Sequence, residues 1–254
     1  MGKRAFASID LPPRGQKPRE KGITMVIDWG MGLTQQNDLM EMAAPTTDLA
    51  KIAVGIPGLL EESYLSRKLE AYKKFDVAPF PGGMFLEYAV KQGKGDAYME
   101  DAVRAGFTHI EVSDNAIPIP KEDLIRSAVN DHGLVVLGEV GSKREGTPAN
   151  ILVEDAERCL EAGSWKVFVE AAEFFVEGEF NQDLASEFTS KIPEEKFIFE
   201  LPGPWIPEIH LDTIMKMQAW LVQAYGPEAN IANVLPDHLM YVETLRRGVG
   251  VTLK

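Results

Sequence analysis

Residues 121–139 read KEDLIRSAVNDHGLVVLGE, and this stretch decides the fold. KEDLIRSAVNDHG carries a helical pattern and stops on Gly133, a residue that can leave a helix with left-handed backbone. LVVLGE follows as a short apolar run of strand character, closed by Glu139. Helix, glycine and strand make one turn of a βα repeat. The rhythm recurs on both sides: GDAYMEDAVRAGF breaks at Gly106 before THIEVSD, and VEDAERCLEAG breaks at Gly163 before KVFVE. Strand-like runs fall at 23–28, 48–54, 76–80, 107–112, 134–139, 165–170, 196–200 and 229–234, mostly with helical patterns between them. This alternation predicts an α/β fold, a single parallel eight-stranded (β/α)8 (TIM) barrel over residues 23–254. The polar, Pro-rich residues 1–22 predict an arm along the barrel exterior or bottom. An open doubly wound sheet is the alternative. It calls for a Gly-rich phosphate loop after the first strand, which DWGMGLTQQND approximates only loosely.

Bulk properties agree with one such barrel. The 254 residues are 45% hydrophobic, with a mean hydropathy of −0.13. No apolar stretch approaches the roughly 18–20 residues of a membrane span, and the N-terminus lacks the apolar core of a signal peptide. The single cysteine, Cys159, excludes an internal disulfide, so a cytoplasmic location is expected. A net charge of −13 argues against nucleic acid as a partner. The expected partner is a small anionic molecule, without membrane association, in a homo-oligomer.

Carboxylates close five of the apolar runs: Asp28 ends TMVID, Glu111 and Asp114 end THIEVSD, Glu139 ends LVVLGE, Glu170 ends KVFVE and Glu200 ends KFIFE. In a parallel barrel all these ends open on one face, where barrel enzymes keep their chemistry. Acids gathered there repel one another unless a cation offsets them. An oxygen-only donor set suits Mg²⁺, and the absence of a Cys/His cluster disfavours zinc. Asp28, Glu111, Asp114, Glu139 and Glu170 are therefore the candidate metal ligands.

Positive groups are few. Lys51 lies within the second run, and an inward lysine there needs a carboxylate or an anionic ligand. Lys143 and Arg144 follow Glu139 in GEVGSKRE, where a lysine beside acids is a candidate proton carrier. Gly82 and Gly83 in PFPGGMFLE would let backbone N–H groups approach an anion at a helix N-terminus. Arg246 and Arg247 in VETLRRGVG fall near the last βα unit, where barrels often bind phosphate. The Pro-rich LPGPWIPEIHLD after the seventh run would pass over the mouth and bring Trp205 and His210 there.

Taken together, KPREKGITMVIDWGMGL, PFPGGMFLE, HIEVSDNAIPIP, GEVGSK and VETLRRG resemble the phosphosulfolactate synthase family, collinearly and over nearly the whole chain. The resemblance implies a (β/α)8 barrel that adds sulfite to phosphoenolpyruvate with Mg²⁺, giving phosphosulfolactate on the route to coenzyme M. It implies a lyase whose ligands lie among the five acids named. Glu139 and Lys51 join the catalytic set, with Lys143 as the proton carrier. Gly82, Gly83, Arg144, Arg246, Arg247 and Trp29 would meet substrate.

The chain also departs from the family pattern. Trp29 follows Asp28 where a lysine is common, Glu170-Ala171-Ala172-Glu173-Phe174-Phe175 replaces a stretch with a basic residue, and the C-terminal RRGVGVTLK is one arginine short. Such changes suggest a second expectation, a less charged unsaturated or enolisable carboxylic acid in a pocket walled by Trp29 and Phe174. A third is a stress-associated protein whose catalysis is lost or secondary.

Overall fold

The computed structural model of the protein describes residues 4–141, 147–176 and 179–251. Its parallel strands are β1 Thr24–Asp28, β2 Leu49–Ile52, β3 Ala78–Pro81, β4 His109–Val112, β5 Val135–Val140, β6 Lys166–Glu170, β7 Phe197–Glu200 and β8 Ile231–Val234. They follow the order β3-β2-β1-β8-β7-β6-β5-β4, so β8 returns to β1 and the sheet curls into a (β/α)8 barrel. The helices around it are α1 Leu33–Ala43, α2 Glu62–Lys73, α3 Gly83–Lys91, α4 Gly95–Ala105, α5 Lys121–Asn130, α6 Ala149–Ala162, α7 Gln182–Lys191, α8 Leu211–Tyr225 and α9 Leu239–Arg246. None described is long and apolar enough to cross a membrane.

Gly106 and Gly163 end α4 and α6 in left-handed backbone, with φ of 98° and 117°. Helix α5 stops earlier than its pattern suggests, at Asn130, yet Gly133 still supplies a positive φ of 65° ahead of β5. Each barrel strand is buried on both faces, as parallel sheets require. Met25, Leu49, Phe80, Leu137, Phe168, Ile198 and Ala232 face inward and fill the lower interior, where Phe80 and Phe168 stack at 5.9 Å. The alternate positions, among them Val26, Ala50, Ile110, Val136 and Val167, face the helices and form the larger core. Burying each such large apolar side chain contributes about 1.5–3 kcal/mol.

The ring of ladders is open at one place, between β3 and β4. Ala78 and Gly82 donate their N–H groups to β2-side carbonyls, of Asp48 and Ile52. Residues 79 and 81 therefore turn their nitrogens toward β4, and both are proline, with no hydrogen to donate.

Below the barrel, residues 4–22 run without helix or strand. Lys17 donates to the carbonyls of Ala44, Thr47 and Phe75, and Arg19 pairs with Asp48 at 2.8 Å. Arg14 pairs with Glu243 at 3.1 Å. These partners sit at strand entrances and in α9, so the basic residues of the arm tie the closed end of the barrel.

Candidate active site

Two residues above the apolar interior layer, the inward positions change character. Lys51 follows Leu49, Glu139 follows Leu137, Glu170 follows Phe168 and Glu200 follows Ile198. With Glu111 on β4 they form one buried layer, each at most 6% exposed. Period-two alternation along a strand puts them there. Lys51 Nζ lies 2.5 Å from Glu200 Oε1 and 2.7 Å from Glu111 Oε2. Burial opposes its charge, but Glu111, Glu200 and Glu139 outweigh that and hold its pKa above the ordinary lysine value.

Glu139 feels the reverse. Burial, then the carboxylates of Glu200, Glu111 and Glu170, push its pKa well above the usual carboxylate range, with Lys51 opposing. Its Oε1 accepts a hydrogen bond from Asn115 Nδ2 at 2.6 Å. Glu139, Glu170 and Glu200 each offer an oxygen within 4.8 Å of the others. Glu200 Oε2 is buried without a hydrogen-bond partner. Four acids near one lysine, all offering oxygen, with Glu200 Oε2 still to be satisfied, fit a hard divalent cation.

The layer opens into a cavity of about 100 Å³ at the C-terminal end of the strands. Its walls include Lys51, Glu111, Glu139, Glu200, Asn233, Gly82, Gly83, Trp29 and Trp205. Trp29, after β1, and Trp205, after β7, meet over it with ring centroids 4.9 Å apart. Gly82 packs so closely on the Val54 backbone that a Cβ would lie 2.9 Å from Val54 N. A Cβ on Gly83 would lie 2.4 Å from Ser113 Oγ and 3.1 Å from Glu111 Oε1. Both glycines thus let the start of α3 approach the acid layer. Glu87 of α3 also accepts from Ser113 Oγ, Ala116 N and Ile117 N, pinning the loop that presents Asn115.

Several expected residues lie elsewhere. Asp28 turns away from the barrel axis, since Met25 and Ile27 take the inward places on β1. Its Oδ2 meets Lys68 Nζ at 2.5 Å and Tyr72 OH at 2.7 Å, and its Oδ1 accepts from Gly30 N and Met31 N. It clamps α2 to β1 and stands apart from the metal candidates. Asp28→Asn is expected to cost about 3 kcal/mol in urea unfolding, with divalent-ion affinity of the folded protein unchanged. A tenfold fall in that affinity would return Asp28 to the site. Asp114 sits on the rim, paired with Lys121 at 2.8 Å, outside the carboxylate group.

Arg246 and Arg247 are a correction. Helix α9 runs down from the mouth, and its eight residues span about 12 Å. Arg246 ends up buried at the opposite face, donating to the carbonyls of Pro227, Ala229 and Ile23 and to Thr24 Oγ1. Arg247 pairs with Glu243 and Pro12 O there. Neither reaches a ligand at the mouth. Phe174 is also displaced from the expected pocket wall, packed edge-on against Phe188 and Phe199 in the helix layer. His210 is exposed and does not line the cavity, whereas Trp205 does. Lys143 and Arg144 lie outside the described residues. Of the described residues, Gly141 packs beside Glu170, which a Cβ on it would meet at 3.3 Å, and Thr147 is bonded twice to Glu173.

Three mouth residues escaped the sequence reading as site residues: Glu200, Asn233 and Asn115. Glu200 had the strand-end signal. The two asparagines had none beyond position.

The family model for (2R)-phospho-3-sulfolactate synthase matches residues 12–251. The phosphosulfolactate synthase of Methanothermobacter thermautotrophicus is 33% identical over 95% of both chains. The chain belongs to the phosphosulfolactate synthase family. The Bacillus subtilis phosphosulfolactate synthase is 30% identical, over 95% of this chain and 96% of that protein. Among solved structures, the YdjI aldolase of Escherichia coli aligns over 91% of this chain and 87% of its own, with a TM-score of 0.58 and 15% identity. That likeness concerns the barrel fold alone. As a member of the phosphosulfolactate synthase family, the protein is an enzyme, and its acid layer lies at the C-terminal end of the barrel strands.

Proposed function

We propose that this chain adds sulfite to phosphoenolpyruvate with the help of Mg²⁺, giving phosphosulfolactate. The observation that carries the reading is the buried layer of Glu111, Glu139, Glu170 and Glu200 around Lys51, opening directly into the mouth. That opening favours chemistry over a barrel whose catalysis is lost.

A bound Mg²⁺ would supply positive charge that stabilises electron density delocalised toward the substrate carboxylate. Glu139, Glu170 and Glu200 would hold it. Lys51 keeps its proton at neutral pH, because its neighbours raise its pKa. It acts as a fixed positive charge between Glu111 and Glu200, and it is not a base. The sulfur of sulfite forms a bond to the methylene carbon, the π pair moves onto the phosphate-bearing carbon, and one proton is added there. Lys143 is the proton carrier that the family resemblance implies. Trp29 and Trp205 close over the reacting atoms and limit water.

The test is consumption of sulfite with phosphoenolpyruvate and Mg²⁺, read against a chelator control. Metal-dependent product is the expected result; none from a folded protein would overturn the proposal. The Trp29–Trp205 pair favours a second reading, in which the acceptor is a less charged unsaturated acid. Turnover of such an acid in place of phosphoenolpyruvate would select it.

A further inference from the structure

We infer that the side-chain oxygen of Asn233 is a fourth, neutral ligand of the cation held by Glu139, Glu170 and Glu200. The inference rests on the cation reading above. Asn233 closes the inner face of β8, 7% exposed and lining the mouth cavity. Its backbone is left-handed, with a φ of 55°. Asparagine tolerates that region better than most residues, and a non-glycine residue held there is uncommon.

The amide orientation is fixed by its partners. Nδ2 donates to Glu200 Oε1 at 2.7 Å and to the carbonyl of Leu201 at 3.1 Å. Both partners are acceptors, so the reversed amide would set oxygen against oxygen. Oδ1 is thereby turned the other way, buried and without a hydrogen-bond partner. The adjacent Glu200 Oε2 is in the same condition. Two unsatisfied acceptors on neighbouring strand ends call for a shared cation more directly than for two separate donors. The oxygens already in use point the same way: Glu200 Oε1 is taken by Lys51 and Asn233, and Glu139 Oε1 by Asn115. Glu139 and Glu200 are each oriented through Oε1, as metal ligands held by outer partners are, and Glu200 still has Oε2 to offer.

The experiment uses Tb³⁺, an oxygen-seeking probe that Trp29 and Trp205 can sensitise, with Mg²⁺ as competitor. Luminescence lifetimes in H₂O and D₂O count the waters on the bound ion. Asn233→Gly suits the left-handed backbone and removes both amide groups; Asn233→Asp restores an oxygen but not the N–H donor. Asn233→Gly is expected to bind about tenfold more weakly and to carry about one more water. Asn233→Asp should stay near wild-type affinity and hydration at pH 8. A residue that only orients Glu200 would fail alike in both variants with hydration unchanged, and that result overturns the inference, as does wild-type binding by both. A wild-type protein with no Mg²⁺-competable Tb³⁺ signal removes the cation reading itself, and this inference with it.

Discussion

Lys51→Met is expected to destabilise the metal-free protein by about 3–5 kcal/mol at pH 8, and to abolish turnover. The lysine is the cation at the centre of four buried glutamates, within 2.7 Å of two of them. Methionine fills similar space, so what is lost is charge. Without it nothing opposes the burial and neighbouring carboxylates that already raise the pKa of Glu139, so the fold holds that proton still more tightly than the unfolded chain does. The folded state then binds more protons than the unfolded one, and stability falls as pH rises above the unfolded carboxylate value of about 4.3. Acidifying toward pH 5, or adding millimolar Mg²⁺, should therefore recover much of the loss. In the wild type the raised Lys51 pKa has the same sign in a far higher window: its contribution is fully present below the unfolded lysine value and is lost only as pH climbs through the higher folded one. Urea titrations at several pH values make the comparison. An equal loss at every pH would point to packing and sink the electrostatic account.

Glu139→Gln should separate stability from function. Its carboxyl is held well above the usual range by burial and by Glu200, Glu111 and Glu170, so ionising it strains the fold. Glutamine keeps an oxygen for Asn115 and removes the charge. At pH 9 with a chelator present, the variant is expected to be more stable than the wild type by about 1–2 kcal/mol, the order of gain seen when a poorly compensated buried charge is replaced by a neutral group. Metal-dependent activity should fall at least a hundredfold. Wild-type Mg²⁺ affinity should strengthen with rising pH, because the ion must displace a proton from this group, and the variant should flatten that dependence. A variant that melts lower and keeps its activity would make Glu139 a structural acid.

The barrel was legible because the strand runs are apolar and several helices announce their ends, with Gly106 and Gly163 in the left-handed backbone expected of them. The site was legible only in part. A strand buried on both faces shows no alternation, so TMVID does not reveal that Asp28 has outward parity while KFIFE places Glu200 inward. The pattern marks both as strand-end acids, yet the candidate ligand set includes Asp28 and omits Glu200. Arg246 misled for a different reason: a residue close in sequence to the last strand is carried to the far end by the helix between. Phe174 is turned into the helix layer by the 3-10 turn at Ala171–Phe174. Asn233 left no trace in the sequence, because its place depends on a left-handed backbone that only the fold reveals.

The two prolines of β3 give the barrel the mechanics of a split washer. A closed ring of ladders resists widening everywhere, since any strain must stretch backbone hydrogen bonds. Here the ring can spread at the β3–β4 gap without breaking one. That gap lies beside the contact of Gly83 with Ser113 and Glu111, so the compliance of the whole wall is concentrated on one side of the mouth. The lysine and its glutamates, strung across from β2 to β4 and β7, act as the clasp that limits how far it springs.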